Sequence, residues 1–264
     1  MNTTIASPVG EHLRTWRQRR HLSQLDLAME ADISTKHLSF LETGRSQPSR
    51  EMILNLAHHL RVPLREQNTL LQAAGYAPHF SSGSLDRPDM ESARRTIDLL
   101  LKAHEPFPAL AVDRHWNMVA ANSAIAPLLD GIADFLMEPP VNVIRLSLHP
   151  DGGATRIVNY LEWRTHIIER LERQLEMTAD PVIEDLLAEV RAYPISDEAR
   201  RNQGTNRGLD RNVAIPMQML VGGRVMSFLS TTTVFGTPTD VTLSELAIET
   251  FFPADEATAK ALAG

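Results

Sequence analysis

Residues 23–49 read SQLDLAMEADISTKHLSFLETGRSQPS, and their alternation of polar and apolar side chains decides how the first part of the chain folds. Ser23 precedes an apolar-periodic run and Asp26 follows three residues later, which is the spacing of a capping box. A helix is therefore predicted over 24–31, with Leu25, Ala28 and Met29 facing inward. It stops at Asp32, a residue that tolerates the left-handed conformation better than most non-glycine residues. Ile33 plugs the turn. Ser34 caps a second helix that ends at Gly44, a natural residue for the position just past a helix. The apolar positions of this helix, Leu38 and Leu41, point one way. Thr35, Lys36 and Ser39 point the other way, so its start presents polar groups to whatever lies outside.

Working outward, a helix is expected over 9–20, with Leu13, Trp16 and the stem of Arg17 for packing. Pro48-Ser49 opens a fourth helix, whose core residues are Ile53, Leu54, Leu56 and Ala57. Pro63 opens a fifth that ends at Gly75. Two short helices joined by a tight turn inside a helical domain form a helix-turn-helix. The whole pattern over about 9–75 resembles the DNA-binding domain of XRE-family regulators, the phage-repressor type. The Ser-Gln start, Ala28 facing the turn, Ile33-Ser34, Leu38, Leu41-Glu42 and Gly44 carry the resemblance. Asp32 departs from it, since the family usually has glycine there.

The resemblance implies that the start of the third helix enters the major groove of a double-stranded operator. Thr35, Lys36 and Ser39 would lie at base edges, with Lys36 on guanine and Phe40 against a thymine methyl, and Ser34 at the helix start is counted among the DNA-binding residues. Ser23 and Gln24 stand at a helix N-terminus, where backbone N–H groups favour phosphate. Arg45 and Arg50 flank the next loop and would hold the DNA backbone. Arg17 would pair with Glu42 as a structural ion pair, tying the first helix to the third.

The 264 residues are 43% hydrophobic and 22% charged, enough for one large or two ordinary cores. The absence of cysteine excludes disulfides and thiolate chemistry. The start MNTTIASPVG shows no secretion signal, and no apolar run of about 18 residues exists to span a membrane. A cytoplasmic protein is expected. Residues 1–80 carry 9 Lys+Arg against 7 Asp+Glu, whereas the rest carries 17 against 26. Such an acidic chain would meet nucleic acid only through a local face of its first part. The Ser/Gly-rich stretch HFSSGSLDRP marks a linker at 79–88. A helix-turn-helix domain is thus expected over 1–78 and a second domain over 89–264.

The second domain opens with a helix near 89–104, with Met90, Ala93, Ile97, Leu100 and Leu101 in one stripe. A strand at 109–113, a turn at Arg114-His115, a strand at 116–120 and a helix starting at Asn122 follow, an opening like that of PAS sensor domains. Residues 157–179 form a helix with Leu161, Ile168, Leu171 and Leu175 in a stripe and Trp163 and Ile167 nearby, and Pro181 opens another. Residues 201–212 read as a polar loop. Residues 213–221 alternate with period two, Gly222-Gly223 makes a hairpin turn, and RVMSFLSTTTVFG returns the chain. A last strand near 247–252 precedes a terminal helix after Asp255. Helices packed on a sheet make an α+β domain.

The segments WNMVAAN, NVIRLSLHPDG and FGTPTDVTLSELAIETFFPADEAT, behind the XRE head, resemble MmyB-like transcription regulators. The resemblance implies a PAS-like ligand-binding domain for fatty acids or similar hydrophobic molecules. No resident cofactor and no metal are expected. Met217, Met219 and Met226, with Phe228, Trp116 and Trp163, are candidate pocket walls. Arg145, His149 and Asn122 are candidates for a ligand's polar head, although Arg145 equally suits an ion pair and Asn122 a helix cap. One helix-turn-helix reads few base pairs, so a homodimer is expected. A C-terminal domain serving only dimerisation or partner docking is the alternative. An enzyme built on His149 with Asp151, or on His104-Glu105, lacks an accompanying nucleophile elbow, phosphate loop or metal motif.

Overall fold

The computed structural model describes residues 8–83, 85, 87–201, 215–236, 238 and 240–263. Contacts divide the chain into two compact units, one of residues 1–84 with 237–244, the other of residues 85–236 with 245–264.

The first unit is built on five helices: α1 (Pro8–Arg19), α2 (Gln24–Glu30), α3 (Thr35–Glu42), α4 (Arg50–His59) and α5 (Leu64–Ala73). Ser23, Ser34 and Ser49 each cap the helix that follows, accepting from the backbone N–H of Asp26, His37 and Met52. Such a cap is worth about 1 kcal/mol. Asp32 has φ 53° and Gly44 φ 72°, so both helices of the motif end in left-handed residues. Leu13, Trp16, Leu27, Leu38, Leu41 and Ile53 meet in one core. Gly10 lets α1 approach α3 closely. A Cβ there would lie 2.4 Å from the Leu41 carbonyl oxygen.

The inward reading of Leu25 and Met29 is corrected. They stand 57% and 73% exposed, whereas Leu27 and Ala28 are buried. The helix has seven residues, and its buried contacts centre on 27 and 28, which leaves the flanking positions 25 and 29 toward solvent.

The unit continues past α5. Asn68 accepts from the N–H groups of His79 (2.8 Å) and Phe80 (3.0 Å) and donates to the Phe80 carbonyl (2.8 Å). Ser81 then forms a parallel bridge with Asp240. The Val241 N–H donates to the Ser81 carbonyl (2.8 Å), and Thr242 bonds both backbone groups of Gly83. Asp240 also caps the short helix α12 (Val241–Ser244), numbered in chain order, by accepting from Thr242 N–H. Much of the Ser/Gly-rich stretch is therefore held by hydrogen bonds within this unit.

The second unit holds the remaining elements: α6 (Glu91–Ala103), β1 (Ala109–Val112), β2 (Met118–Ala121), α7 (Ala126–Leu129), α8 (Val143–Leu148), α9 (Tyr160–Thr178), α10 (Pro181–Ala192), α11 (Asp197–Arg201), β3 (Met217–Val221), β4 (Arg224–Val234), β5 (Ala247–Pro253) and α13 (Glu256–Leu262). The strands form one antiparallel sheet in the order β2-β1-β5-β4-β3. β2 starts two residues later than expected, because Asp113 accepts from the N–H groups of His115 and Asn117, and Trp116 takes φ 68° in that turn. Gly222 and Gly223, at φ 55° and 77°, close the β3–β4 hairpin. Most of the polar loop at 201–212, and the strand start at Val213, lie outside the described residues.

Two stripes are corrected. Ile97 and Leu101 of α6 are buried, as is Met90 just before it, but Leu100 is exposed. On α9 the buried face runs through Tyr160, Trp163, Ile167 and Leu171, with Leu161, Ile168 and Leu175 at its margin.

Candidate nucleic-acid interface and ligand cavity

In the first unit, the turn between α2 and α3 is closed by Ile33 N–H donating to the Ala28 carbonyl (2.9 Å). This sets α3 with Lys36 exposed and with Thr35, Ser39 and Phe40 half-buried beside it. Lys36 Nζ lies 5.7 Å and Arg45 Cζ 5.8 Å from the centre of the Phe40 ring, so two cations flank one aromatic on this face. Ser34 is exposed, and its hydroxyl oxygen is taken up by the cap. Arg50 is exposed and lies 2.7 Å from His79 Nδ1.

Two residues expected at phosphate are otherwise engaged. Ser23 forms a reciprocal capping box with Asp26. Its hydrogen bonds hold the Asp26 carboxyl below the usual range, so an anion already sits at that helix start. Gln24 Nε2 donates to Glu42 Oε2 (2.8 Å). It belongs to a buried network in which Arg17 bonds both oxygens of Glu42, at 2.6 and 2.9 Å, and donates to the Leu22 carbonyl at 2.8 Å. Arg17 is 9% and Glu42 4% exposed, and the forked bond raises the Arg17 pKa. Arg20 donates to the Leu60 carbonyl at the end of α4 (2.9 Å).

In the second unit, a cavity of about 100 Å³ lies within the core, lined by 20 residues that are almost all apolar. A water needs about 10–15 Å³ on the same measure, so this space is several waters large. Trp116, Trp163, Met217 and Met219 line it, whereas Met226 and Phe228 are buried in the surrounding core without reaching it. Both lining indoles are fixed. Trp116 Nε1 donates to Gln174 (2.8 Å) and Trp163 Nε1 to Ser147 (2.8 Å).

None of the three expected head-group residues lines the cavity. Arg145 is forked onto Glu189 (2.7–3.1 Å), which also accepts from the Tyr193 hydroxyl. These bonds lower the Glu189 pKa, while burial and the Glu189 bond raise that of Tyr193. Asn122 ties the start of β1 to the end of α6, accepting from Ala109 N–H (3.0 Å) and donating to the carbonyls of Leu101 (3.2 Å) and Phe107 (2.8 Å). His149 Nδ1 accepts from Asp151 N–H (3.1 Å) and lies 3.8 Å from its carboxylate, so this couple is not a hydrogen-bonded acid–base dyad.

The charged groups on the wall are two residues the sequence reading passed over, Arg170 and Glu249. Arg170 bonds both oxygens of Glu249, at 2.6 and 3.1 Å, and also Thr232 (2.5 Å). Thr232 donates to Glu249 in turn (2.8 Å), and the guanidinium stacks 4.2 Å over Trp116. The available signal was an arginine three residues after Ile167, on the buried face of α9, and a lone glutamate inside the apolar run AIETFFP. Among the described residues no cluster of His, Asp or Glu is arranged to hold a metal, and no helix is long and apolar enough to cross a membrane.

The chain thus joins a helix-turn-helix with an exposed polar helix to a domain with an apolar cavity. Comparison with known families agrees. The MmyB-like transcription regulator ligand-binding domain matches residues 93–264, and a helix-turn-helix model matches 13–67. The chain belongs to the MmyB-like transcription regulators, with a helix-turn-helix region ahead of that family's ligand-binding domain.

Uncharacterised HTH-type transcriptional regulators of Mycobacterium bovis and Mycobacterium tuberculosis are 29% identical over 135 residues, 51% of this chain and 46% of theirs. The chain thus spans about half the length of the curated relatives it matches. The clp gene regulator ClgR of Corynebacterium glutamicum is similar to 26% of this chain over 86% of its own, at 28% identity and a TM-score of 0.24.

Proposed function

We propose that the chain is a one-component cytoplasmic switch. It would read a double-stranded operator as a homodimer and alter its DNA affinity when a small hydrophobic, fatty-acid-like molecule enters its C-terminal domain. The observation that carries this reading is the carbon-lined cavity inside a domain of a ligand-binding family. Concave, mostly apolar spaces with a few polar groups are the usual form of small-molecule sites. A PAS-like description is supported by the β1–turn–β2 opening, the short helices after Asn122, and the single antiparallel sheet.

On the DNA side, Lys36, Thr35, Ser39 and Phe40 would meet base edges, with Arg45 and Arg50 on the backbone. Two copies would read half-sites whose centres lie about 10 bp or a multiple apart. A ligand shifts DNA binding only if it binds the DNA-competent and incompetent states unequally. The test is mass spectrometry of the organic extract of denatured protein, followed by operator titration with and without the extracted compound. A stoichiometric lipid that changes operator affinity is the expected result. A clean extract, with no effect of added lipids on operator affinity, would leave a docking or dimerisation domain behind the same head.

A further inference from the structure

We infer that His79 is a positioning residue for Arg50 at the DNA backbone, and that the loop between β4 and β5 sets His79 through the strap of residues 79–83. This rests on the reading that Arg50 lies at a phosphate. It adds the device that holds the side chain there and the part of the chain that bears on it.

The strap begins beyond α5 and returns to the start of α4. Tyr76 donates its hydroxyl to the Pro48 carbonyl (3.1 Å), next to the Ser49 cap of α4. Further on, His79 Nδ1 lies 2.7 Å from Arg50 Nη2. A guanidinium can only donate, so Nδ1 accepts, and the imidazole is the neutral form with its proton on Nε2. This bond takes one of the five Arg50 N–H groups and leaves others for a phosphate. An exposed arginine samples many rotamers, and ordering it on a phosphate costs conformational entropy. A side chain already held loses less when DNA arrives.

The ring is placed by its backbone. Asn68 on α5 accepts from the N–H groups of His79 and Phe80, and the Phe80 ring meets the His79 ring edge-on at 4.7 Å. From Ser81 the strap is held by the loop between β4 and β5. Ser81 Oγ donates to Asp240 Oδ2 (2.5 Å), and Val241 N–H donates to the Ser81 carbonyl (2.8 Å). The Thr242 hydroxyl accepts from Gly83 N–H (3.1 Å) and donates to the Gly83 carbonyl (2.7 Å). Burial opposes the charge of Asp240, but bonds from Ser81, Leu243 and Thr242 hold its carboxyl below the usual range. Asp240 is therefore an ionised acceptor at neutral pH. All of these contacts lie within the first unit. The chain runs from this loop into β4 on one side and into β5 on the other, and β5 carries Glu249 of the cavity wall. A shift of either strand thus pulls on the strap that carries His79.

The experiment is a double-mutant cycle on DNA affinity with the full chain. The probes are the duplex that the chain selects from a random library and a duplex of scrambled sequence, each at several salt concentrations. Arg50→Gln should weaken both duplexes alike and reduce the salt slope by about 1. His79→Ala should weaken both by about two- to tenfold and leave base preference unchanged. In the Arg50→Gln background it should have no further effect. Ser81→Ala should behave as His79→Ala does, again only while Arg50 is present, and Ser81→Thr should restore affinity. A His79→Ala effect that is absent in the parent, or undiminished without Arg50, would overturn the positioning role. Parental affinity in Ser81→Ala would overturn the link to the β4–β5 loop. An Arg50→Gln protein that binds both duplexes as the parent does would overturn the placement of Arg50 itself. A merely structural role would lower Tm and persist without Arg50, so the cycle separates the two even where a variant is destabilised.

Discussion

Replacing Arg17 by Met tests what holds α1 against the recognition motif. Glu42, 4% exposed, would lose both of its Arg17 bonds and keep Gln24 as its remaining described partner. Breaking one side of a buried pair costs about 3–5 kcal/mol, mostly because the other charge is stranded. The same cost is expected for Glu42→Leu. The double replacement Arg17→Met with Glu42→Leu removes both charges and puts apolar volume in their place. What then remains is the Leu22 carbonyl without its donor, at about 1 kcal/mol, and a half-exposed Gln24 that can turn to water. The double variant should therefore lie within about 1–2 kcal/mol of the parent, with a coupling energy of several kcal/mol. Amide hydrogen exchange over α1–α3 in the full chain reads this locally. At about 1.4 kcal/mol per factor of ten, each single change should speed exchange there by roughly two to three and a half powers of ten. Single variants that cost less than about 1 kcal/mol, or a double variant costing the sum of the two, would refute the reasoning.

Four other outcomes follow from the same structure. Lys36→Ala should weaken binding to the true operator by about 1–3 kcal/mol and relax preference at one base position, read by titration against single-base variants. Leu25→Ser and Met29→Ser should leave thermal stability within about 0.5 kcal/mol, because both side chains already stand in water. His166 has its pKa lowered by burial first and then by Arg170 and Arg173, against the opposing charges of Glu169 and Glu249. The unfolded chain therefore binds the proton first as pH falls. Stability present above about pH 6.5 is lost below it, and His166→Gln should flatten that part of a Tm-against-pH curve. Ile167→Trp should fill the cavity and abolish binding of apolar probes, while Met226→Leu, in the core but off the lining, should leave it intact.

The head was legible because its signals are local. Serine caps, a left-handed Asp32 and Gly44, and prolines at helix starts each act within a few residues. Where packing decides, the reading slipped. Leu25 and Met29 are apolar residues on a helix too short for periodicity to choose a face, and the core took Leu27 and Ala28 instead. Gln24 also donates to a Glu42 oxygen, a partner that nothing near it in sequence reveals. The sheet hairpin was plain from Gly222-Gly223. The cavity's polar wall was not, because Arg170 and Glu249 lie 79 positions apart and meet only when β5 pairs beside β1 and β4. Arg145 and His149 drew notice as charges in a family segment. They serve contacts of α8 with α10 and of the loop after it.

The Ser81–Asp240 bridge bears on how the gene can be dissected. The two residues are separated by 159 positions, yet both belong to the helix-turn-helix unit. A truncation in the 79–88 stretch would keep the helix-turn-helix but delete the hydrogen-bond partners of Ser81 and Gly83 together with the buried Val241. A shortened allele would thus lose part of its head along with its ligand domain, and its phenotype would report both losses. Transplanting this head onto another sensor calls for carrying residues 237–244 with it, which makes the two units less interchangeable than a Ser/Gly-rich connector suggests.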